Sequence, residues 1–557
     1  MSTQKRTNPL IFTIVIFILL ISACVPISPT VQMATNPCAK QSKMLLQAKD
    51  SRKSAEIILM GSDEIIKSIA DANGLRPISE NNQVSLASLR PFLPESLSSS
   101  DTVIAAYQGD FPQLLQSLKE NPQNVAVDLN YVVNPVETSA NGDLGGYTWQ
   151  VGGGTWQVGG GTWQVGGGAY ALAAANQWLN ADHFWKQWIF SGTSGVAPGL
   201  SFEPGSSDRD LLGDGTLDAA EMPQIETNGY PKGPLQVGIF DSAPLLETKG
   251  DVVVGLPLPL NLKVHDFLPG IDYISPVSVA PGEAIIDVRD HGLFAAGLIY
   301  GVAPASEMHL YRVLDNCVQG KLFTLLQAIS QFADEQMAGK EEKSLNGAVL
   351  NLSLGITNPK DVLDPDELEL LKELSNNLGY TNPSGNALSL QAVMDALNNA
   401  GAIVVGAAGN DGVGNSSRFP AAYESVVGVS ASNIAAAQSC FSNNGDMMLP
   451  NSDGSTDTGS CTPPSDAQWL SCQNDPAQCP YGAISLMTQS YSGFGYWVGT
   501  SFAAPLATGS SVLLLEKAIK TNASPPGDAA TVVKSHLSLS GEANTPLRLD
   551  QLLQQIP

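Results

Sequence analysis

From position 235 onward, the chain alternates short apolar segments with longer helical ones. The apolar segments are residues 235–240, 308–313, 347–352, 402–407 and 425–429, and residues 322–336 and 388–399 have helical spacing. Apolar strands separated by helices predict an α/β fold with a mainly parallel central sheet and helices on both faces. Functional side chains of such folds gather at the carboxyl ends of the strands.

Three polar residues stand at positions of this kind. Asp241 follows the apolar segment 237–240, His291 opens the segment HGLFAAG, and Ser501 lies within GTSFAAP. A serine nucleophile needs a base that accepts its proton and a carboxylate that orients the base. Asp241, His291 and Ser501 are therefore the candidate catalytic residues. Their order along the chain is that of subtilisin, not that of chymotrypsin or the α/β-hydrolases.

Further motifs between these residues extend the resemblance. GVAP (301–304), YRVLD (311–315), NLSLG (351–355), AAGN (407–410) and SRFPA (417–421) appear in the order found in subtilases. Residues from about 230 to 552 therefore resemble a subtilase catalytic domain. The resemblance implies a three-layer subtilisin-like fold and a serine endopeptidase that acts on proteins or peptides through an acyl-enzyme. It implies no cofactor for the chemistry.

The resemblance also implies roles for individual residues. His291 would be the general base, Asp241 would orient it, and Asn410 with the backbone N–H of Ser501 would stabilise the oxyanion. The segments that resemble the family's substrate-binding strands contribute Ser353, Leu354, Gly355, Ala407, Ala408 and Gly409. The four other histidines have no such setting, and we expect them to be structural.

Two departures from the family pattern surround the acid and the base. Ala243-Pro244 follows Ser242 where the family usually has glycine, and Leu293-Phe294 follows His291 where smaller or polar residues are common.

The alternative hypothesis is a surface lipoprotein whose protease fold acts as a binding scaffold. A transpeptidase built on the same three residues is a third possibility.

The first residues predict export. Lys5 and Arg6 precede the apolar run 10–21, which is followed by Ser22-Ala23-Cys24. This pattern is typical of a signal peptide, residues 1–23. It also resembles a bacterial lipobox, so Cys24 is the predicted lipidation site and the membrane a predicted partner, on the extracytoplasmic face. A plain signal peptide or a signal anchor, with an incidental cysteine, is the alternative.

Charge and cysteine usage limit the partners and the compartment. The formal net charge is −25 with only 15% charged residues, which argues against nucleic acid as a partner. Six cysteines remain after Cys24, and an even number in an exported chain favours disulfides. Four of them lie between positions 440 and 479, where one or two bridges are expected. We expect a monomer.

The rest of the chain divides into four segments. Residues 24–43 are a predicted tether. Residues 44–135 are a small α+β segment with a helix at 111–120 and a strand at 125–133; it resembles a subtilisin propeptide, and an accessory domain is the alternative. Residues 136–170 contain three TWQVGGG repeats and read as a linker or as a ligand- or cell-wall-binding repeat. Residues 171–229 would extend the catalytic domain, 230–557.

One acidic stretch in that extension resembles a calcium loop. DLLGDGTLDAAE supplies Asp210, Asp214, Asp218 and Glu221 at EF-hand-like spacing. Leu212 stands where an oxygen ligand is expected. The sequence therefore leaves two hypotheses, a structural calcium site and an acidic surface turn.

Overall fold

The structure is a computed structural model, and it describes part of the chain. The described residues are 54–134, 157–158, 161–162, 181–191, 234–268, 289–315, 319–339, 343–357, 359–380, 387–412, 414–451, 482–488 and 493–520, with single positions at 479, 531, 533, 535, 537, 547, 549, 552 and 555. The predicted signal peptide, Cys24, the tether and the calcium ligands Asp210, Asp214, Asp218 and Glu221 lie outside these residues.

Residues 54–134 form an N-terminal unit built on an antiparallel sheet. Its elements are β1 (Ala55–Ser62), α1 (Asp63–Ala72), β2 (Arg76–Pro77), β3 (Gln83–Ser85), β4 (Thr102–Gly109), α2 (Phe111–Glu120), β5 (Val125–Leu129) and β6 (Val132–Asn134). Strand order is β2–β4–β1–β5, with β3 beside β4. The helix predicted at 111–120 is present, and it begins where the Asp110 side chain accepts a hydrogen bond from the Gln113 N–H.

Both faces of this small sheet are buried. Alternate residues of a strand point to opposite faces. On β1, Ile57 and Leu59 belong to a core shared with α1 and α2, whereas Ile58 and Met60 belong to the core of the large domain. The N-terminal unit is thus docked on the rest of the molecule through one complete sheet face.

The large domain contains a nine-stranded sheet and two small sheets. Its strands are β9 (Gln236–Ser242), β10 (Thr248–Lys249), β11 (Val252–Val253), β12 (Leu262–Asp266), β13 (Glu307–Leu314), β14 (Gly320–Lys321), β15 (Ala348–Leu352), β16 (Gly355–Ile356), β17 (Ile403–Ala407), β18 (Val427–Ser432), β19 (Met447–Pro450), β20 (Ala483–Leu486) and β21 (Phe494–Trp497). In the order β12–β13–β9–β15–β17–β18–β19, every neighbouring pair is parallel. This confirms the predicted α/β class.

Helices cover both faces of this sheet. The described helices after residue 180 are α3 (Ala181–Lys186), α4 (Trp188–Ser191), α5 (His291–Val302), α6 (Leu322–Met337), α7 (Pro359–Val362), α8 (Pro365–Asn377), α9 (Leu388–Asn399) and α10 (Thr500–Lys520). Helices α5 and α10 pack together on one face, and α6 and α9 pack together on the other. The helical segment Thr500–Ile519 is long and apolar enough to cross a membrane, but 94% of its apolar stretch is buried inside the fold. Helix α10 is therefore a core helix.

Two details differ from the sequence-based expectations. The strand predicted at 125–133 is two strands, because β6 leaves the N-terminal sheet and pairs with the large domain. In the repeat region, β7 (Gln157–Val158) and β8 (Gly161–Thr162) form a short antiparallel pair. A separate observation concerns the predicted extension of the large domain: Phe184 is fully buried in the core of that domain.

Two of the cysteines in the 440–479 region are oxidised. Cys440 and Cys479 are each disulfide-bonded, and both side chains are buried. Disulfides in this region agree with the expectation from the cysteine count and with an oxidising compartment.

Candidate active site

The carboxylate of Asp241 and the ring of His291 form a buried pair. Asp241 lies near the carboxyl end of β9, and His291 is the first residue of α5. Nδ1 of His291 lies 2.8 Å from one carboxylate oxygen and 2.9 Å from the other. The backbone N–H of Ser242 also donates to this carboxylate, at 2.6 Å. An anion with these partners fixes the proton of the imidazole on Nδ1, so that Nε2 can accept a proton.

The next residue, Gly292, explains how the helix comes so close to the strand. A Cβ atom at this position would lie 2.7 Å from Cβ of Asp241 and 2.3 Å from the carbonyl oxygen of Ser242. Only glycine leaves room for that approach. The pairing of Asp241 with His291 therefore depends on the absence of a side chain at position 292.

Aromatic rings surround His291 on its other side. Its ring centroid lies 5.2 Å from that of Trp497 and 5.0 Å from that of Phe502. Phe294 contacts the same two rings, at 5.5 Å and 4.7 Å. The unusual Phe294 is thus part of an aromatic cluster that packs around His291. This cluster was not predicted, although the bulky Leu293-Phe294 pair had indicated altered packing there.

Ser501 lies in the first turn of α10 and forms hydrogen bonds with Ser353, the residue that directly follows β15. Its Oγ donates to the carbonyl oxygen of Ser353 at 3.3 Å, and its own carbonyl accepts from the Ser353 hydroxyl at 2.7 Å. The side chain of Asn351 donates to that hydroxyl. Among the described residues, none forms a hydrogen bond with Nε2 of His291. Reaction with His291 as the base therefore requires the Ser501 hydroxyl to turn from Ser353 toward Nε2.

The Asn410 side chain is oriented by the residue that precedes the serine. Its Oδ1 accepts from the N–H of Thr500 at 2.9 Å and from the Thr500 hydroxyl at 3.1 Å. Because the carbonyl end of the amide faces Thr500, the NH₂ end faces away from it. N–H groups in the first turn of a helix have no acceptor within the helix. The Asn410 amide and the N–H of Ser501 are thus suitable donors for a developing oxyanion.

The residues predicted to bind substrate fall into two groups. Gly355 belongs to β16, which pairs antiparallel with β6 of the N-terminal unit: Gly355 lies opposite Asn134 and Ile356 opposite Val133. On its other edge β6 pairs with β14. Ser353 and Leu354 are buried beside this sheet. The remaining residues, Ala407, Ala408 and Gly409, are occupied by contacts within the large domain.

The position of the site in the sheet agrees with the general rule for α/β folds. Strands β12 and β13 lie on one side of β9, and β15, β17 and β18 lie on the other, so the strand order changes direction at β9. Ligands of open α/β sheets bind at the carboxyl ends of strands beside such a reversal. Asp241 and Ser353 lie at this edge.

Part of the chain is similar to a known protein family. Residues 277–544 match the model of the Subtilase family. This segment, slightly less than half of the chain, is similar to that family. The matched segment includes His291, Asn410 and Ser501, and Asp241 lies upstream of it. The match supports a subtilisin-like serine peptidase.

The curated relatives are distant. The minor extracellular protease Epr of Bacillus subtilis (strain 168) is 28% identical over 207 residues, which cover 34% of this chain and 26% of Epr. A subtilisin of Bacillus pumilus is 26% identical over 281 residues, covering 46% of this chain and 78% of that protein. The chain thus spans about a quarter of Epr. Among solved structures, the epidermin leader peptide processing serine protease (EpiP) of Staphylococcus aureus is 16% identical, with a TM-score of 0.47 and coverage of 90% of this chain and 98% of that one.

Proposed function

We propose that the protein is a serine endopeptidase that uses Asp241, His291 and Ser501. The observation that carries the proposal is the buried Asp241–His291 pair, with distances of 2.8 and 2.9 Å, in a chain whose His291, Asn410 and Ser501 fall inside a subtilase-family match. Proteins and peptides are the proposed substrates. No observation favours the binding scaffold or the transpeptidase over hydrolysis.

In the proposed mechanism, Oγ of Ser501 attacks the carbonyl carbon of the substrate and its proton moves to Nε2 of His291. Asp241 stabilises the imidazolium that forms. The Asn410 amide and the Ser501 N–H donate to the oxyanion. His291 then protonates the leaving amine, and water releases the acyl group from Ser501 by the same steps in reverse order.

Labelling with a fluorophosphonate probe tests this proposal. The wild-type protein is expected to be labelled and to cleave a denatured protein, whereas Ser501→Ala should do neither. Ser510→Ala is a matched control, because Ser510 lies in the same helix and its hydroxyl, among the residues that the structure describes, bonds only to the Leu506 carbonyl. Cleavage by Ser501→Ala at the wild-type rate would refute the proposal.

We also propose that the N-terminal unit is an inhibitory propeptide of this peptidase. Its strand β6 is the central strand of the sheet β14–β6–β16. Substrate backbones bind to exposed strand edges by adding a strand, and Gly355 of β16 is one of the predicted substrate-binding residues. With β6 in place, a substrate cannot use these two edges.

Two polar residues near the C-terminal end of the N-terminal unit bind it to the large domain. The carboxylate of Asp128 accepts from the N–H groups of Leu388 and Ser389 at the start of α9, at 2.8 and 2.7 Å. Oδ1 of Asn130 accepts from the N–H of Phe323 at the start of α6, at 2.8 Å. Each side chain thus satisfies N–H groups that a helix leaves without partners.

A proline substitution in β6 tests the inhibition. Val133 pairs with both Gly320 and Ile356, and Val133→Pro removes the N–H that a central strand needs. Fluorophosphonate labelling of the intact chain should then proceed faster than in wild type. Proline already occupies position 94 of the same unit, so Glu95→Pro beside it controls for damage to the unit remote from β6. Equal labelling rates in wild type and Val133→Pro would contradict the inhibitory role.

We further propose that the protein is exported and held at the membrane by acylated Cys24. The signal-like N-terminus and the extracellular location in the name of Epr support export; the lipobox resemblance alone supports acylation. Cys24→Ser should move the protein from the membrane fraction to the medium. Retention of Cys24→Ser at the membrane would contradict the lipid anchor. A structural calcium ion at Asp210, Asp214, Asp218 and Glu221 stays a hypothesis from spacing.

A further inference from the structure

Two histidines and a glutamate meet on the face of the sheet that α6 covers. Nε2 of His265 and Nδ1 of His309 lie 3.1 Å apart. One ligand atom from each of His265, His309 and Glu335 lies within 4.8 Å of the other two. Two nitrogen ligands at about 2.0–2.1 Å from one tetrahedral zinc ion are about 3.3 Å apart. The spacing of the two imidazoles therefore matches that of ligands to a single ion.

Three different elements bring these side chains together. In the parallel pairing of β12 with β13, His265 lies opposite Tyr311 and Lys263 opposite His309. His265 and His309 are therefore diagonal neighbours on one sheet face. Glu335 comes from α6. Its two oxygens accept from the Tyr311 hydroxyl at 2.9 Å and from the Gln331 amide at 2.6 Å, which leaves further lone pairs on each oxygen.

The surroundings of His309 fix which of its nitrogens carries the proton. Nε2 lies 3.1 Å from a carboxylate oxygen of Glu307 and 3.0 Å from Oε1 of Gln236. Glu307 also forms an ion pair with Lys263 at 2.6 Å. A carboxylate can only accept, so the proton is on Nε2 and the lone pair of Nδ1 points toward His265. A carboxylate behind a histidine in this way is the usual support of a metal ligand.

Stacking fixes the orientation of the other ring. The His265 ring lies 4.4 Å from that of Tyr311, with 11° between their planes, and Tyr311 stacks in turn on Phe240. His265 is half-buried and Glu335 is exposed, so an ion bound here would have remaining coordination positions open to solvent. Two imidazoles and one carboxylate suit zinc and its transition-metal neighbours better than magnesium or calcium.

We propose that His265, His309 and Glu335 form a binding site for a divalent transition-metal ion of the zinc class. The ion would link β12, β13 and α6 and so stabilise the part of the sheet next to β9. The site is separate from the catalytic residues and does not depend on the proposed peptidase activity. Without the ion, Nε2–H of His265 donates to Nδ1 of His309, and the same geometry serves as a hydrogen bond.

Zinc titration of the full chain tests the proposal. The parent protein is Ser501→Ala, stripped with a chelator, so that self-cleavage cannot interfere. Calorimetry with zinc chloride should give a tight site that His265→Ala weakens at least about 100-fold and Glu335→Gln about 10-fold. Excess zinc should raise the Tm of the parent, and an equal concentration of magnesium should not. Cobalt bound at the same site should give visible absorption bands that His265→Ala loses.

Matched variants separate this site from others on the chain. His183→Ala removes a histidine of similar exposure elsewhere, and His291→Ala removes any zinc bound by the catalytic pair; both should keep the tight site. His265→Ala changes a half-exposed residue, so its folding can be verified by circular dichroism. Unchanged zinc affinity in a folded His265→Ala protein, or loss of the site in His291→Ala, would overturn the proposal.

Discussion

Asp128 of the N-terminal unit accepts three hydrogen bonds at the start of α9, two of them from Ser389. The N–H and the hydroxyl of Ser389 donate to the same carboxylate oxygen, at 2.7 and 2.5 Å, and the Leu388 N–H donates to the other. Burial raises the pKa of Asp128 to about 6, although these hydrogen bonds lower it. The junction between the N-terminal unit and the large domain thus contains a carboxyl that titrates near neutral pH.

The raised pKa predicts a pH-dependent junction. A carboxyl whose pKa is higher in the folded chain than in the unfolded chain binds its proton more tightly when folded, so its contribution favours folding as the pH falls. With pKa values of about 6 and 3.8, the free energy of unfolding should rise by about 1 kcal/mol from pH 7 to pH 5. Urea unfolding of Ser501→Ala at pH 7 and at pH 5, with and without Asp128→Asn, measures this change in the free energy of unfolding. An identical pH dependence in the two proteins would show that Asp128 is not its source.

The register of β6 predicts where the chain cuts itself. Gly355 lies opposite Asn134 in an antiparallel pair, and residues of such a pair advance one for one in opposite directions. We predict that this register continues by two residues beyond the described strand, which would put position 136 opposite Ser353, whose carbonyl accepts from Ser501 Oγ. We expect self-cleavage after Val136, giving a new N-terminus at Glu137. Mass spectrometry of the purified wild-type protein should find this end, and Ser501→Ala should lack it; a terminus far from position 137 would contradict the proposed register.

Asn410→Ala is expected to reduce catalysis more than stability. Loss of one oxyanion donor typically lowers kcat by about 10²–10³-fold, with a smaller effect on KM. Asn443 is a matched control, because it is also buried but bonds to Asp411 and to the Ser416 carbonyl. Asn443→Ala should lose about 1–3 kcal/mol of stability and little of kcat per folded molecule. Similar kcat values for the two variants would exclude the oxyanion role of Asn410.

Gly292→Ala should damage both folding and catalysis. The new Cβ would lie 2.7 Å from Cβ of Asp241, so either α5 or β9 must move and the Asp241–His291 distance must increase. Overpacking of this kind typically costs about 1–3 kcal/mol, and we expect kcat to fall at least about 100-fold. Ala295→Gly in the same helix should lower stability by about 1 kcal/mol and leave kcat near wild type. Thermal unfolding and kcat of both variants test this.

The alternation of apolar and helical segments was sufficient to predict five adjacent strands of the main sheet, β13, β9, β15, β17 and β18. The apolar segments at 308–313 and 402–407 lie within one residue of β13 and β17, and the helices predicted at 322–336 and 388–399 are α6 and α9. The side of each element that faces the sheet is buried and therefore apolar. The spacing of these apolar residues along the sequence indicates a helix or a strand. Strand β12 was missed because its residues are mostly only half-buried and lack that pattern.

The order of the motifs was also sufficient to identify Asp241, His291, Asn410 and Ser501 as candidate site residues. Each of them lies in a short motif that can be recognised without knowledge of the fold. The contacts among them needed the tertiary structure. Nothing in the sequence shows that β6 lies between β14 and β16, that Asp128 meets Ser389 some 260 positions later, or that His265 and His309 lie 3.1 Å apart. Such pairs are set by strand register and by the docking of one sheet face, which arise only when distant segments pack together. The sequence determined which chemical groups are present; packing decided which of them meet.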